Sequence, residues 1–492
     1  MSSLKNQAVS GVKWLAINQI VQRVIRMIAF AILARLLEPT VFGLFAMAFI
    51  LIDGFSYFKS FGVDGALIQR KEDETFETAT HTAFFMLQIL GVVIFLIFQL
   101  SAPMFARFLK NEEAITIMRA LGVIFIINNL GRIPNALLTK KMRFSLLSVI
   151  ELIAAVVNAV CAVIFAYLWK SVWSLVLAYL IKMIVTSCMT WYFERYRVKW
   201  VFDWKIAKEM LHFGKFMVGM GIVSYIAYNL DQVLISRMLG AAMLGYYVLA
   251  LNITSFTQQN VLNHIGRVLF PAFAAIQDEP EIVKRGFLKT ARYISIIAIP
   301  FTLGIVTVAR EFTLALYGEK WLEIVPLIQV LALSQIIGPS MSGAGAVFMG
   351  CGKVKWSYNL TLARLLVKVP LVIIMGKLWG LMGIACTGLV MQFIFIPIVY
   401  VLVSKLVDFT FLDFVKQLVP SMICSAIMVA VILGVKAALA AWPQLVFFNF
   451  HELLPLIYFA LFGLPAYLVS FYFIDRALVK DVFNMLFRLK KA

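Results

Sequence analysis

The chain is poor in charge. Asp, Glu, Lys and Arg together make up 14% of its 492 residues, while 62% are hydrophobic. A soluble domain of ordinary composition keeps roughly a quarter of its residues charged, so a water-soluble globular protein is excluded. Acidic residues are the scarcer kind, 25 against 44 Lys and Arg, which leaves a formal net charge of +19. Five cysteines (Cys161, Cys188, Cys351, Cys386 and Cys424) fall in or beside apolar runs, are odd in number and lack CxxC spacing. Neither a disulfide framework nor a metal site fits that pattern, and the four scattered histidines add no ligand set. Also missing are an ATP-binding motif and any polar stretch long enough to fold as a soluble catalytic domain. No cleavable signal sequence is evident, because the first apolar segment is too long and too charged to be one.

Apolar runs of about 20 residues recur from end to end, each long enough to cross a hydrocarbon core of about 30 Å. They predict spans at 11–36, 40–60, 79–101, 113–137, 145–168, 171–193 and 210–236. Seven more follow at 242–266, 288–315, 323–348, 358–376, 380–403, 414–438 and 454–475. The expected fold class is all-α and integral to the membrane, with about fourteen transmembrane helices. Orientation follows from the Lys and Arg content of the short loops. One side holds Lys140, Lys141, Arg143, Arg195, Arg197, Lys199, Lys284, Arg285, Lys353 and Lys355, the other only a sparse set such as Arg107, Lys170, Arg310 and Lys377. This asymmetry places both termini in the cytoplasm. Topology and attraction to anionic membrane lipids account for the basic loops, so no nucleic-acid partner is needed.

An internal repeat organises the spans. Arg35, Leu37, Gly43 and Ala48 recur as Arg237, Leu239, Gly245 and Ala250 at one constant offset, and the same offset pairs Lys13-Trp14 with Lys215-Phe216. Spans 1–6 and 7–12 therefore read as two parallel copies, giving two pseudo-symmetric six-helix lobes around a central cavity. The expected divisions are 1–205, 206–405, and an appendage over 406–492 with two extra helices and a tail. Facing repeats are a common way to build alternating access.

Within the first span Gln19, Gln22, Arg23 and Arg26 follow i, i+3, i+4, i+7 spacing and so share one helix face. An arginine at bilayer depth costs roughly 2.5–3.5 kcal/mol by insertion scales, so it faces water or a partner. Other basic groups in spans are Arg132 with Asn128 and Asn135, Arg267 after Gln259, Asn260, Asn263 and His264, and Arg364 with Lys368. Arg132, Arg364 and Lys368 are near enough to span ends that snorkelling to the headgroups and lining a cavity both stay open. For Arg267 the same two readings stand. Asp53 and Asp231 are the acids deep within spans; each reads either as an ion-pair partner or as a coupling-ion site. Basic groups outnumber acids here, which favours an anionic cargo. Guanidinium offers paired donors and stays charged at any pH, matching phosphate, while Asn and Gln suit sugar hydroxyls. A cation-coupled multidrug antiporter is the alternative. A membrane enzyme is disfavoured, since the loops are short.

The segment Ala34-Arg35-Leu36-Leu37-Glu38-Pro39-Thr40-Val41-Phe42-Gly43-Leu44, with Phe61-Gly62-Val63-Asp64-Gly65-Ala66-Leu67-Ile68-Gln69, resembles the opening of bacterial polysaccharide-repeat flippases of the Wzx type. Asp231-Gln232-Val233-Leu234-Ile235-Ser236-Arg237-Met238-Leu239-Gly240 and Tyr317-Gly318-Glu319-Lys320-Trp321 also fit, and the likeness is nearest the colanic-acid exporter branch. The resemblance implies the multidrug/oligosaccharidyl-lipid/polysaccharide exporter fold in the bacterial inner membrane. It implies a cargo of undecaprenyl-diphosphate-linked oligosaccharide, moved to the outer leaflet, and a cation-lined lumen that Arg23, Arg26 and Arg267 match by location. It further implies coupling to H+ or Na+ or to the membrane potential, with no cofactor or metal. The expected partners are the polysaccharide polymerase and chain-length machinery, and a monomer is the expected working form.

Overall fold

Helix is the element such a chain must form, because in lipid each backbone amide has to find its partner within its own segment. The structure, a computed structural model, describes residues 2–59, 61–255, 263–441 and 454–476, and is all-helical among them. The side chains of 2–17, 212–224, 227, 263–268 and 454 lie outside that description. Among the described residues, ten helical segments are long and apolar enough to cross a membrane, making this a multi-pass membrane protein. The chain divides into two compact units, Met1–Gly245 and Tyr246–Ala492.

The first unit contains α1 (Ser2–Leu36), α2 (Pro39–Ser56), α3 (Val63–Gln69), α4 (Phe76–Phe108), α5 (Ala114–Gly122) and α6 (Ile124–Lys140). It continues with α7 (Phe144–Trp169), α8 (Trp173–Glu194), α9 (Trp204–Leu239) and the start of α10 (Ala241–Thr254). α1 lies along α7, α7 along α8, and α8 against α6, while α2 packs on α5 and α9. Helix boundaries follow local chemistry. Pro39 opens α2, where a missing N–H is harmless. The Asp203 side chain accepts from the Lys205 and Ile206 amides at 2.7 and 3.1 Å and caps α9. Gly240, at φ +86°, turns the chain into α10.

The expected span 40–60 is shorter in the structure. α2 ends at Ser56, and the chain turns through Phe61 and Gly62 at positive φ before α3 begins. Buried Asn129 explains how the break survives in an apolar setting: its Nδ2 donates to the Lys59 carbonyl at 3.1 Å and to the Leu87 carbonyl at 2.7 Å. Apolar packing behind it joins Val63 and Leu67 of α3 to Leu87 of α4, Ile133 of α6 and Ile206 of α9.

The second unit holds the rest of α10 with α11 (Asn263–Ala275), α12 (Pro280–Tyr317), α13 (Val325–Leu333) and α14 (Gly343–Gly350). α15 (Val354–Ser404), α16 (Phe411–Ala441) and α17 (Leu454–Ile474) complete it. α15 has 51 residues, about 75 Å at helical rise and too long for one crossing. Trp379 and Gly380 leave helical geometry, Gly380 at φ +58°, so two helices meet there in a corner. A Cβ at Gly383 would lie 2.0 Å from the Met375 carbonyl oxygen, which is why the arms need glycine where they touch. The span expected at 323–348 is interrupted, with 3-10 turns at Glu319–Ile324 and Gly338–Met341 around α13. Both α16 and α17 pack on α12. Lys436 meets Glu311 at 2.9 Å and Arg292 pairs with Asp475, so each of the last two helices is tied to α12 by its own ion pair.

Candidate functional site

α1 packs along α7 and buries Asn18, Ala29, Leu33 and Ala34, leaving its polar stripe accessible. Gln19 and Arg26 are exposed; Gln22 and Arg23 are half-buried. Gln22 Nε2 lies 3.5 Å from Glu151 Oε2 on α7, at the long limit of a hydrogen bond. Lys182 of α8 is within electrostatic reach of both Arg26 and Glu151, and Arg23 and Arg26 repel one another. Cations from two helices are thus coupled along one wall, Arg23 to Arg26 and Arg26 to Lys182, with Glu151 in electrostatic reach of Lys182. Like charges held close in a weakly polarisable surround raise the energy of the empty site, and an arriving anion relieves it.

Beside this wall stands Asp53, exposed on α2 and in electrostatic reach of Lys59, Tyr179 of α8 and Tyr225 of α9. Asp53 makes no ion pair among the described residues. Tyr225 donates its hydroxyl proton to the Ile50 carbonyl at 2.6 Å, which fixes its ring against α2. Asp231 is half-buried further along α9.

Arg132 lines a cavity and has an ion-pair partner that neither of its two readings named. Its guanidinium pairs with Asp64 of α3 at 2.7 Å, on one side of a cavity of about 230 Å³. The cavity runs between α3, α6 and α8 and is lined by Asn128, Asn135, Met183, Thr186, Ser187 and Thr190 among others. α6 and α8 come this close because a Cβ at Gly131 would sit 2.6 Å from Ser187 Oγ. With exposures of 19% and 27%, Arg132 and Asp64 form a half-sheltered pair, so stranding either partner costs about 1–3 kcal/mol. Asp64→Ala is therefore expected to lower the melting temperature more than the Asp64→Ala/Arg132→Met double substitution does. Thermal unfolding in detergent checks this, and a double variant less stable than the single one would contradict it.

The second unit carries the remaining candidates. Arg364 is exposed on α15 with its guanidinium 5.5 Å from the Phe395 ring centroid, and half-buried Lys368 sits one turn on. Arg267 belongs to the α11 backbone, but its side chain, like those of Asn263 and His264, lies outside the described residues, as do Gln259 and Asn260 altogether. The structure therefore brings Gln22 to Glu151 of α7 and Arg26 within electrostatic reach of Lys182 of α8, with Gln19 and Arg23 on the same α1 face, and sets Arg132 in a cavity against α8. Helical spacing does not single out Lys182, Lys59 or Asp64 as site residues. Lys182 is a single charge inside an apolar span, a signal in itself. Asp64 is 68 residues from Arg132, and no local spacing joins them.

Comparison with known proteins places this geometry. Residues 32–326 match the family described as "Polysaccharide biosynthesis protein". The lipopolysaccharide biosynthesis protein WzxC of Escherichia coli (strain K12) is 29% identical over 395 residues, covering 80% of each chain. The teichuronic acid biosynthesis protein TuaB of Bacillus subtilis (strain 168) is 30% identical over 366 residues, covering 73% of this chain and 74% of its own. Among solved structures, lipid II flippase MurJ in an inward closed conformation gives a TM-score of 0.74 at 14% identity, over 94% of this chain and 99% of that one. An inward-facing multidrug resistance MATE family transporter of the MOP superfamily gives 0.60 at 17% identity, over 80% and 98%. These structures speak for the fold, and the sequence match for the kinship: the chain belongs to the polysaccharide biosynthesis protein family.

Proposed function

We propose that the chain is a lipid-linked oligosaccharide flippase, a transporter and not an enzyme. It moves an undecaprenyl-diphosphate-linked repeat unit from the cytoplasmic to the outer leaflet of the bacterial inner membrane. The observation that carries this reading is the electrostatic coupling of Arg26 to both Arg23 and Lys182 along one wall. A diphosphate accepts several charge-assisted hydrogen bonds, and two guanidiniums with an ammonium supply them. Gln19 and Gln22 add amide donors on the same face. The prenyl tail stays in the bilayer, so the protein has only to replace water around the headgroup, whose desolvation otherwise blocks the crossing. Arg267, Arg364 and Lys368 would offer an anion the same kind of charge within the second unit.

In this reading fourteen helices form two six-helix lobes, 1–205 and 206–405, that alternate access, with 406–492 as appendage and both termini cytoplasmic. Asp53, exposed and in no ion pair among the described residues, is the group best placed to take up a coupling H+ or Na+. A cation-coupled drug antiporter on the same fold would depend on Asp53 and ignore the arginines. The test is reconstitution of the full chain in proteoliposomes with a fluorescent undecaprenyl-diphosphate-linked glycan and a membrane-impermeant quencher. Transfer of probe between leaflets supports the flippase. Transfer no faster than in protein-free vesicles, under every ion gradient and potential applied, contradicts it.

A further inference from the structure

The cavity between α3, α6 and α8 holds polar capacity that the protein itself leaves unspent. Arg132 Nε is buried without a hydrogen-bond partner among the described residues. Asp64 uses one carboxylate oxygen on Arg132. The Asn128 amide has only the Met183 sulfur at 3.9 Å, and Asn135 has no side-chain bond among the described residues. Thr186 donates its proton back to the Lys182 carbonyl at 2.9 Å, so its oxygen is free to accept.

The chemistry of this set selects its ligand. Within the lining itself the charges of Arg132 and Asp64 offset one another, with Lys59 in electrostatic range of both, so the wall is polar rather than strongly charged. The lining offers both donors, from Asn128, Asn135 and Arg132, and acceptors, from Asp64 and Thr186, which suits a group that both gives and takes hydrogen bonds. Adjacent hydroxyls on a sugar ring do that. A volume of about 230 Å³ far exceeds the roughly 10–15 Å³ that one water needs, so a sugar ring has room.

Position points the same way. Lys182 and Thr186 lie four residues apart on one face of α8, about 6 Å along the helix. Lys182 reaches Arg26 and Glu151, while Thr186 and its neighbour Met183 line the cavity. A group held by the cations of α1 and α8 would thus have the cavity one helical turn away. We infer that this cavity binds the single sugar attached directly to the lipid diphosphate, through Asn128, Asn135 and Thr186, with the Asp64–Arg132 pair as its polar floor.

The inference rests on the headgroup reading above, and one experiment separates the two. Binding to the full chain in nanodiscs is measured by native mass spectrometry. The probes are undecaprenol, undecaprenyl diphosphate, and undecaprenyl diphosphate bearing one glucose, galactose or N-acetylglucosamine. At least one glycosylated probe is expected to bind about tenfold tighter than bare undecaprenyl diphosphate. Asn128→Leu/Asn135→Leu, which keeps side-chain volume, should erase that preference while bare diphosphate binding stays. Thr186→Val, a smaller change, should reduce it and serves where the double variant does not fold. No preference for any sugar in the wild type, or a preference that survives these substitutions, overturns the sugar site and leaves the headgroup reading standing. Equal binding of undecaprenol and undecaprenyl diphosphate overturns both.

Discussion

Replacing Arg23 and Arg26 together by alanine is expected to cut glycan export by a hundredfold or more at normal protein abundance. Each arginine removed takes with it a charge-assisted bond to phosphate of about 1.5–3 kcal/mol, and the two effects multiply. The lysine pair should retain part of the activity, since the charge persists but the forked donors are gone. Lys182→Ala should act in the same direction with a smaller effect, because it supplies one ammonium to the same group. Glu151→Gln has the opposite sign for binding: removing the carboxylate among these cations tightens the hold on an anion. The readout is surface polysaccharide in cells whose only flippase is the variant, alongside its abundance in the membrane. Normal polysaccharide from the double alanine variant would remove the α1 stripe from the mechanism.

The second large effect concerns close backbone approach. A Cβ at Gly43 would fall 1.8 Å from the Ala241 carbonyl oxygen, and one at Gly245 would fall 2.0 Å from the Pro39 carbonyl oxygen. Both obstacles are backbone, so no side-chain rotation relieves them. Added bulk in a tightly packed place commonly costs 1–3 kcal/mol, and more where the surround cannot yield. Gly43→Ala and Gly245→Ala are therefore each expected to lower melting temperature and export together. Gly434 of α16 has nothing within 4 Å of a built Cβ, so Gly434→Ala is the control and should be neutral or slightly stabilising. Unchanged melting temperatures for both alanine variants would mean that α2 and the α9–α10 corner are not locked at this crossing.

Those two glycines are among the residues that the repeat pairs at its constant offset; the pairing marked them as equivalent, and the packing shows that each position meets the other's segment. Other features were legible for equally local reasons. Four polar groups at helical spacing declared the α1 face, and the corner at Trp379-Gly380 lies where one expected span gave way to the next, with Gly380 opening the second. The break after Ser56 was hidden, because the turn residues Phe58 and Phe61 are as apolar as a helix in lipid. What carries it is the amide of Asn129, 70 residues away from Lys59. Lys182 belongs to no stripe on its own helix; its companions Arg26 and Glu151 come from α1 and α7. Periodicity reports which residues share a face, and tertiary packing decides which faces meet.

The most direct measurement is the affinity of the full chain for undecaprenyl diphosphate against neutral undecaprenol, in wild type and in Arg23→Ala/Arg26→Ala/Lys182→Ala. A cationic headgroup site predicts a wild-type preference for the diphosphate of about a hundredfold, weakening with salt and abolished in the triple variant. A preference of the same size in the triple variant would contradict the account, because the anion would then be held somewhere other than this wall.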